Sequence, residues 1–120
     1  MDAKKDQVER FLQDFKIKKG IWGIFYRDDR GKNAQCLADL EMRPVDRDKV
    51  LDGIESKDYC KGPIKEELYN GADMWVFGKK FKGEEIYIKI TLGANSDKVI
   101  CISFHIAEQP IHYPLKTFEK

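Results

Sequence analysis

Residues 74–107, MWVFGKKFKGEEIYIKITLGANSDKVICISFHIA, decide the fold of this chain. The stretch contains three runs rich in Val, Ile, Phe, Tyr and Trp, the composition of β-strands. The runs cover residues 74–81, 85–92 and 98–107. Only two short turn sequences separate them, at Lys82-Gly83 and at residues 93–97. Because short connections join antiparallel neighbours, the stretch predicts an antiparallel meander of three strands.

The part of the chain that precedes this meander shows the helical period. Over residues 3–19, apolar side chains recur at the i, i+3, i+4 and i+7 positions of a single stripe, at Val8, Phe11, Leu12 and Phe15. Two further helices are predicted over residues 34–42 and 46–54. Asn33 and Asp46 are their expected N-caps, and Pro44 is expected to end the first of the two.

The remaining segments connect these elements. Residues 21–26 predict a further strand, and residues 56–63 predict a loop or a helical turn. Residues 64–72 are expected to be a charged connector, and residues 109–120 an extended tail against the sheet. The predicted fold class is therefore α+β, with N-terminal helices packed on a C-terminal antiparallel sheet of three or four strands. A length of 120 residues predicts a single domain over residues 1–120.

The composition limits the possible functions. Lys and Arg number 22 and Asp and Glu 21, so the net charge of +1 requires a local basic patch for any binding to nucleic acid. Three cysteines without a CxxC pair are expected to be reduced thiols in or near the core. The charged N-terminus predicts no signal peptide, and no apolar run reaches the roughly 18 residues of a membrane span. We therefore expect a cytoplasmic protein without a membrane partner.

Strand parity divides the side chains of the sheet between two faces. The three isoleucines of residues 85–92 form an apolar face toward the helices, opposite Tyr87, Lys89 and Thr91. Trp75 and Phe77 fall on the isoleucine face, which assigns them to the core. In the last strand the apolar set is expected at Ile100, Ile102 and Phe104, and the opposite set at Val99, Cys101, Ser103 and His105.

The turns also predict which residues lie opposite one another. A two-residue turn at Lys82-Gly83 places Gly78 opposite Tyr87 and Val76 opposite Lys89. A loop at residues 93–97 that pairs Leu92 with Lys98 places Ser103 opposite Tyr87, and His105 opposite Glu85. Directly opposed residues share a face, so a polar cluster is predicted at Glu85, Tyr87, Lys89, Ser103 and His105.

This polar cluster has two interpretations. It is either the solvent-exposed face of a sheet that buries only its other face, or a site that binds and cleaves a phosphodiester. Cleavage of RNA without a metal needs a base for the 2′-hydroxyl, an acid for the leaving oxygen and cations for the phosphate. His, Tyr and Lys can supply these groups. The sequence has no P-loop, no GxSxG and no strong metal motif, so no cofactor is expected.

An ordered set of short segments resembles the MqsR-type toxins of bacterial toxin–antitoxin pairs. In chain order the segments are 39–42 (DLEM), 50–54 (VLDGI), 58–62 (DYCKG), 74–75 (MW), 85–89 (EIYIK) and 102–105 (ISFH). The match covers roughly residues 34–105. The resemblance implies a RelE-like fold, sequence-selective cleavage of mRNA and growth arrest. It also implies a cognate antitoxin protein from the adjacent gene, which we expect to bind DNA.

The resemblance also suggests individual site residues. Lys61 matches the lysine of the family's D-[FY]-x-K segment, and Tyr87 and Lys89 match its strand motif [VI]-Y-[LI]-K. Two positions depart from the family pattern: Val76 stands where a glutamine is usual, and His105 stands where a lysine is usual. Imidazole titrates near neutral pH, so a histidine at this position favours proton transfer.

These arguments define the candidate site. The predicted catalytic residues are Lys61, Tyr87, Lys89 and His105, and the predicted substrate-binding residues are Lys80, Ser103 and His112, without a metal. The predicted function is a metal-independent endoribonuclease toxin that acts on mRNA. The alternative, which the near-zero net charge favours, is a non-catalytic RNA- or protein-binding module with the same fold. A third interpretation is an immunity or regulatory protein.

Overall fold

The computed structural model of the protein describes residues 3–65 and 72–116. Within these ranges the chain forms three α-helices, α1 (Ala3–Trp22), α2 (Lys32–Asp39) and α3 (Pro44–Asp52). It also forms five strands, β1 (Ile24–Tyr26), β2 (Tyr59–Ile64), β3 (Met74–Phe81), β4 (Glu84–Thr91) and β5 (Val99–Ile106). Short 3-10 turns lie at Asp28–Arg30 and Ser56–Asp58. The fold class is α+β, as predicted.

The strands form one mixed sheet in the order β1-β5-β4-β3-β2. The meander from β3 to β5 is antiparallel, as predicted, and β2 adds a further antiparallel strand. β1 instead runs parallel to β5, with Ile24 opposite Val99 and Tyr26 opposite Cys101. The prediction of an antiparallel sheet of three or four strands was therefore wrong. A short turn fixes the direction only of the strands that it joins, and no short turn joins β1 to β5.

β2 occupies a segment that the sequence predicted as a loop or helical turn. Its pairing with β3 is irregular, because the register shifts between Tyr59 opposite Phe77 and Lys61 opposite Val76. Proline is a poor strand residue, and Pro63 is tolerated because β2 lies at the edge of the sheet. Such a strand carries no alternating pattern. Most of the predicted connector, at residues 66–71, and the tail beyond residue 116 lie outside the described residues.

The first helix is longer than predicted. α1 passes through Gly20 and ends before Gly23, whose φ of 89° is a conformation that glycine adopts without strain. The N–H of Gly23 donates to the carbonyl of Lys19 at 2.8 Å. The strand predicted at residues 21–26 is consequently shortened to β1. In the described parts of the chain, no helix is long and apolar enough to cross a membrane.

The second and third helices begin earlier than predicted. α2 starts at Lys32, so Asn33 lies inside it and is not its N-cap. Pro44, predicted to end a helix, instead begins α3, where the absence of its N–H costs no hydrogen bond. Asp46 lies in the first turn of α3 and accepts from the N–H of Arg43 at 3.0 Å. Its predicted role as N-cap was wrong, because α3 already begins at the proline.

α1 packs its apolar stripe on the sheet. The four residues of the predicted stripe are all buried: Val8, Phe11, Leu12 and Phe15. The Phe11 ring stacks on Trp75 at a centroid distance of 5.0 Å and lies 6.1 Å from the ring of Phe77. Trp75 is 6% exposed and Phe77 is fully buried, so their assignment to the core is confirmed.

A buried arginine holds α3 against β1. The guanidinium of Arg47 lies 3.5 Å from the centre of the Tyr26 ring and donates to both carboxylate oxygens of Asp28, at 2.9 and 3.0 Å. The hydroxyl of Tyr26 donates to the carboxylate of Asp48. A buried cation is tolerated only when it is paired. This network therefore fixes α3 against β1 and the 3-10 turn that follows it.

β5 contains a bulge that determines which of its side chains face the core. Ile90 lies opposite Cys101, whereas the preceding residue Lys89 lies opposite Ser103. Ile102 is therefore an extra residue in β5, and its side chain is buried without belonging to the main core cluster. An extra residue changes the alternation of faces from that point onward.

The bulge changes the predicted faces of β5. Val99 and Cys101 lie in the hydrophobic core together with Phe104, although the sequence had assigned them to the opposite face from Phe104. Ile100 shares a face with Thr91, its partner in β4. The placement of Phe104 was correct. The placements of Val99, Cys101 and Ile100 were wrong, because parity assumes an uninterrupted strand.

Asn33 satisfies the backbone at the bulge. Its side-chain N–H groups donate to the carbonyls of Arg27 at 2.8 Å and of Ile102 at 3.2 Å. Its Oδ1 accepts from the N–H of Phe104 at 2.9 Å. Asn33 is 2% exposed, so water cannot readily replace its side chain as a partner. One amide thus ties α2, the residue after β1 and the bulge together.

We expect Asn33→Ala to lower the free energy of unfolding by about 2–4 kcal/mol, because the Ile102 carbonyl and the Phe104 N–H lose a buried partner. Urea unfolding at an unchanged m-value measures the loss. Asn95→Ala, in an exposed loop, is the matched control and should change the free energy by about 0.5 kcal/mol or less. Equal losses for the two variants would contradict this role of Asn33.

Candidate active site

Side chains from four strands line up on the face of the sheet opposite α1. Lys61, Val76, Lys89 and Ser103 form one row across β2, β3, β4 and β5, because each lies opposite the next. The predicted pairing of Val76 with Lys89 is confirmed. Val76, which stands where the resembled family has a glutamine, is fully buried within this row.

The adjacent row contains Gly78, Tyr87 and His105. The pairing of Gly78 with Tyr87 was predicted correctly. The predicted partners in β5 were wrong by two residues, since Tyr87 lies opposite His105 and not Ser103. The loop before β5 shifts the pairing by one residue and the bulge shifts it by one more. A shift of two preserves the face, so the polar cluster forms although its register differs.

A cleft of about 840 Å³ opens over these two rows. Six of the seven predicted site residues line it: Lys61, Tyr87, Lys89, Ser103, His105 and His112. The seventh, Lys80, is an exposed residue of β3 that does not line the cleft. The other lining residues are Lys32, Asn33, Cys60, Glu108, Gln109, Pro110 and Ile111.

The rings of Tyr87 and His105 are stacked. Their centroids are 5.2 Å apart and their planes differ by 16°. Nδ1 of His105 lies 3.0 Å from the carbonyl oxygen of Ile106. A carbonyl oxygen only accepts hydrogen bonds, so Nδ1 carries a proton in this contact. In the neutral ring, Nε2 then holds the lone pair, which makes it the nitrogen able to accept a proton.

Tyr87 carries its hydroxyl proton at neutral pH. Burial raises the pKa of its hydroxyl above the usual value for tyrosine, and the nearby Cys60 raises it further. Tyr87 therefore stays protonated at neutral pH. The stacked pair thus consists of one group able to accept a proton, the His105 imidazole, and one group able to donate it.

The cleft has an excess of positive charge. Lys61 and Lys89 belong to its central row, and Lys32 lies on α2 at its rim. Among the described residues that line the cleft, the only acid is Glu108, whose carboxylate pairs with Lys32 at 2.6 Å. The whole chain has a net charge of only +1. The lysines therefore provide a local basic patch that the overall composition does not reveal, and the arrangement suits an anion.

Cys60 is a residue of the cleft that sequence reasoning missed. It precedes Lys61 at the irregular pairing of β2 and is half-buried, whereas Cys36 and Cys101 are buried. Burial raises the pKa of the Cys60 thiol, an effect that Lys61 and the backbone N–H of His112 partly oppose. The available signal was that Cys60 lies inside a segment that carried the family resemblance. Its face could not be assigned, because side chains do not alternate regularly in a bulged strand.

The comparisons with known proteins identify no relative. No protein-family model matches the chain, and neither a search of curated proteins nor a search of solved structures found a match. Over residues 3–65 and 72–116, no group of three or more His, Cys, Asp or Glu side chains is arranged to hold a metal ion.

We expect neutral His105 to be the Nδ1–H tautomer, because its Nδ1 faces the Ile106 carbonyl. Nitrogen-15 NMR of the side chain above the pH at which the ring titrates distinguishes the two tautomers. The His105→Gln spectrum assigns the signals, and His112, an exposed histidine, provides the comparison within the same chain. A protonated Nε2 in neutral His105 would contradict the assignment of the basic nitrogen.

Proposed function

We propose that this protein is an endoribonuclease that cleaves mRNA without a metal ion. The observation that carries the proposal is the stacked pair of Tyr87 and His105 beside Lys61 and Lys89 in one open cleft. These four side chains supply a base, an acid and two cations, which is the set that phosphodiester cleavage by an internal hydroxyl requires.

His105 acts as the base in the proposed reaction. Its Nε2 accepts the proton of the ribose 2′-hydroxyl, and the 2′-oxygen attacks the adjacent phosphorus. The bond from phosphorus to the 5′-oxygen of the next nucleotide breaks, and Tyr87 donates its proton to that oxygen. The products are a 2′,3′-cyclic phosphate and a 5′-hydroxyl. The protons on His105 and Tyr87 are then exchanged with water, which restores both groups.

Lys61 and Lys89 stabilise the charge that develops on the phosphate. A fixed ammonium acts best where water is partly excluded, and Lys89 is half-buried whereas Lys61 is exposed. We therefore assign Lys89 to the reacting phosphate and Lys61 to the substrate chain beside it. Ser103, opposite Lys89, is a further hydrogen-bonding group for the phosphate oxygens.

The resemblance to the MqsR-type toxins supports the same proposal. From this resemblance we infer that mRNA is the substrate, that its cleavage arrests growth and that the fold is related to that of RelE. It also supports a cytoplasmic location, where mRNA is found. The lysine usual in that family is replaced by His105, so the proton transfers proposed here are those of an imidazole.

We expect His105→Gln to fold normally and to lower the cleavage rate of a synthetic RNA about 10²–10⁴-fold, since a general base is removed. Tyr87→Phe should cause a smaller loss. Lys61→Ala and Lys89→Ala should weaken both RNA binding and rate. The assay uses purified protein with a chelator, and an analysis of the RNA ends tests for the cyclic phosphate.

Lys5→Ala is the matched control for the lysine variants, because Lys5 is exposed on α1, on the other side of the sheet. It removes the same charge and should leave the rate unchanged. Induced expression of the wild-type chain in bacteria should arrest growth and produce mRNA ends at a short recurring sequence. RNA binding without cleavage, and growth without arrest, would favour the non-catalytic binding module instead.

We expect the product of the adjacent gene to copurify with this protein and to restore growth when the two are co-expressed. A toxin requires an antitoxin that blocks its cleft or restrains its fold, and a stable complex should bury on the order of 1,200 Å² or more. Copurification and growth assays check both statements. Independent purification of the two products, with growth still arrested, would exclude this partner.

A further inference from the structure

Residues 109–113, here called the strap, cross the polar face of the sheet from the end of β5 toward β2. Glu85 of β4 holds the strap through both of its carboxylate oxygens. Oε1 accepts from the N–H of Ile111 at 3.2 Å, and Oε2 accepts from the hydroxyl of Tyr113 at 2.6 Å. Hydrogen bonds to a charged acceptor are the stronger ones, so the strap has a defined position above β4.

Gly78 makes room for the strap on β3. A Cβ added at this glycine would lie 2.8 Å from Cδ1 of Ile111 and would overlap the hydroxyl of Tyr113. Both of these atoms are the far ends of side chains, so a methyl group at position 78 would displace them. The Tyr113 hydroxyl would then leave Glu85. The absence of a side chain at Gly78 therefore allows the strap to lie where Glu85 can hold it.

The strap continues beyond Gly78 toward β2. The backbone N–H of His112 lies near the Cys60 thiol of β2 and partly offsets the rise in the pKa of that thiol. The hydrogen bonds to Glu85 and the packing on Gly78 hold the segment across β4 and β3. Gln109 and His112 are exposed, and both line the same cleft as the stacked pair.

The interaction with Glu85 has an electrostatic consequence for the cleft. Glu85 lies two residues before Tyr87, on the face of β4 that carries Lys89. A free carboxylate there would repel a phosphate bound at the lysines. Both oxygens of Glu85 instead accept from donors of the strap, and Glu85 does not line the cleft, so its carboxylate supports the strap and does not face the lysines directly.

We propose that the strap is the wall that holds the base of the bound nucleotide, with Glu85 as its positioning residue. The inference rests on the proposed function. The lysines of the sheet bind the phosphate, so the base of the same nucleotide extends away from them toward the strap. The amide of Gln109 both donates and accepts, and the ring of His112 can stack on a base, which are the contacts that unpaired bases make with proteins.

The test releases the strap without changing the residues at the phosphate. Three variants each disturb an attachment of the strap: Gly78→Ala, Glu85→Ala and Tyr113→Phe. Glu85→Gln is the conservative variant, because its amide keeps an acceptor for the Ile111 N–H and can donate to the Tyr113 oxygen. Hydrogen exchange at the amide of Ile111, which donates to Glu85, reports whether the strap is docked. Steady-state cleavage of a short single-stranded RNA gives kcat and KM.

We expect the three releasing variants to accelerate exchange at the Ile111 amide and to raise KM about 10-fold, with kcat within about 3-fold of wild type. Glu85→Gln should resemble wild type in both measurements. Gln109→Ala and His112→Ala should raise KM without accelerating exchange, because they remove the contacts and leave the wall in place. The matched controls are Gly20→Ala, where an added Cβ meets nothing within 4 Å, and Glu84→Ala, an exposed neighbour in β4.

The possible failures can be told apart. Faster exchange with an unchanged KM, in an enzyme that cleaves RNA, would overturn the role of the strap and leave the proposed function intact. RNA binding without cleavage would overturn only the catalytic proposal, and the Kd of the same variants then decides the role of the strap. A wild-type protein that neither binds nor cleaves RNA would overturn both. If circular dichroism shows that Gly78→Ala does not fold, Tyr113→Phe and Glu85→Ala decide the question.

Discussion

The hydrogen bonds between the Asn33 amide and the bulge of β5 determine how the two faces of the sheet are used. Before the bulge, Val99 and Cys101 face the core. After it, Ser103 and His105 line the cleft. These four residues are spaced two apart, so a regular strand would place all of them on the same face. The extra residue puts the first pair on the core side and the second pair on the cleft side. The core and the cleft therefore depend on the same extra residue and on the amide that satisfies the backbone around it.

The cleft combines parts that are distant along the chain. β2 supplies Lys61, β4 supplies Tyr87 and Lys89, and β5 supplies His105. Each strand is held by a neighbour on at least one side, so the relative positions of these groups follow from backbone hydrogen bonds. This placement on strands is the kind of support that the proposed catalytic geometry needs. The charge of the cleft is equally local, since lysines collect in a chain whose total charge is close to zero.

The regular parts of the fold could be predicted from the sequence, and the irregular parts could not. The stripe on α1, the hairpin at Lys82-Gly83 and the burial of Trp75 follow from repeating patterns, and all three are observed. The bulge and β2 break the alternation on which such reasoning depends. The polar residues of β4 and β5 were grouped on one face by parity, and the grouping holds because two errors of one residue in the register added to a shift of two. Lys80, also predicted to bind substrate, does not line the cleft. The contact of Tyr113 with Glu85 joins segments by tertiary packing, which no local pattern encodes.

The parallel pairing of β1 with β5 has a consequence for the order in which the chain is made. Residues 24–26 emerge from the ribosome well before their partners at residues 99–101. β5 lies between β1 and β4, so β1 cannot join the sheet until β5 has left the ribosome. Until then, the apolar stripe of α1 lacks part of the sheet that covers it and stays exposed to water. Lys61 and His105 also cannot come together before β5 is in place. The cleft therefore forms only after the ribosome has translated the message beyond β5.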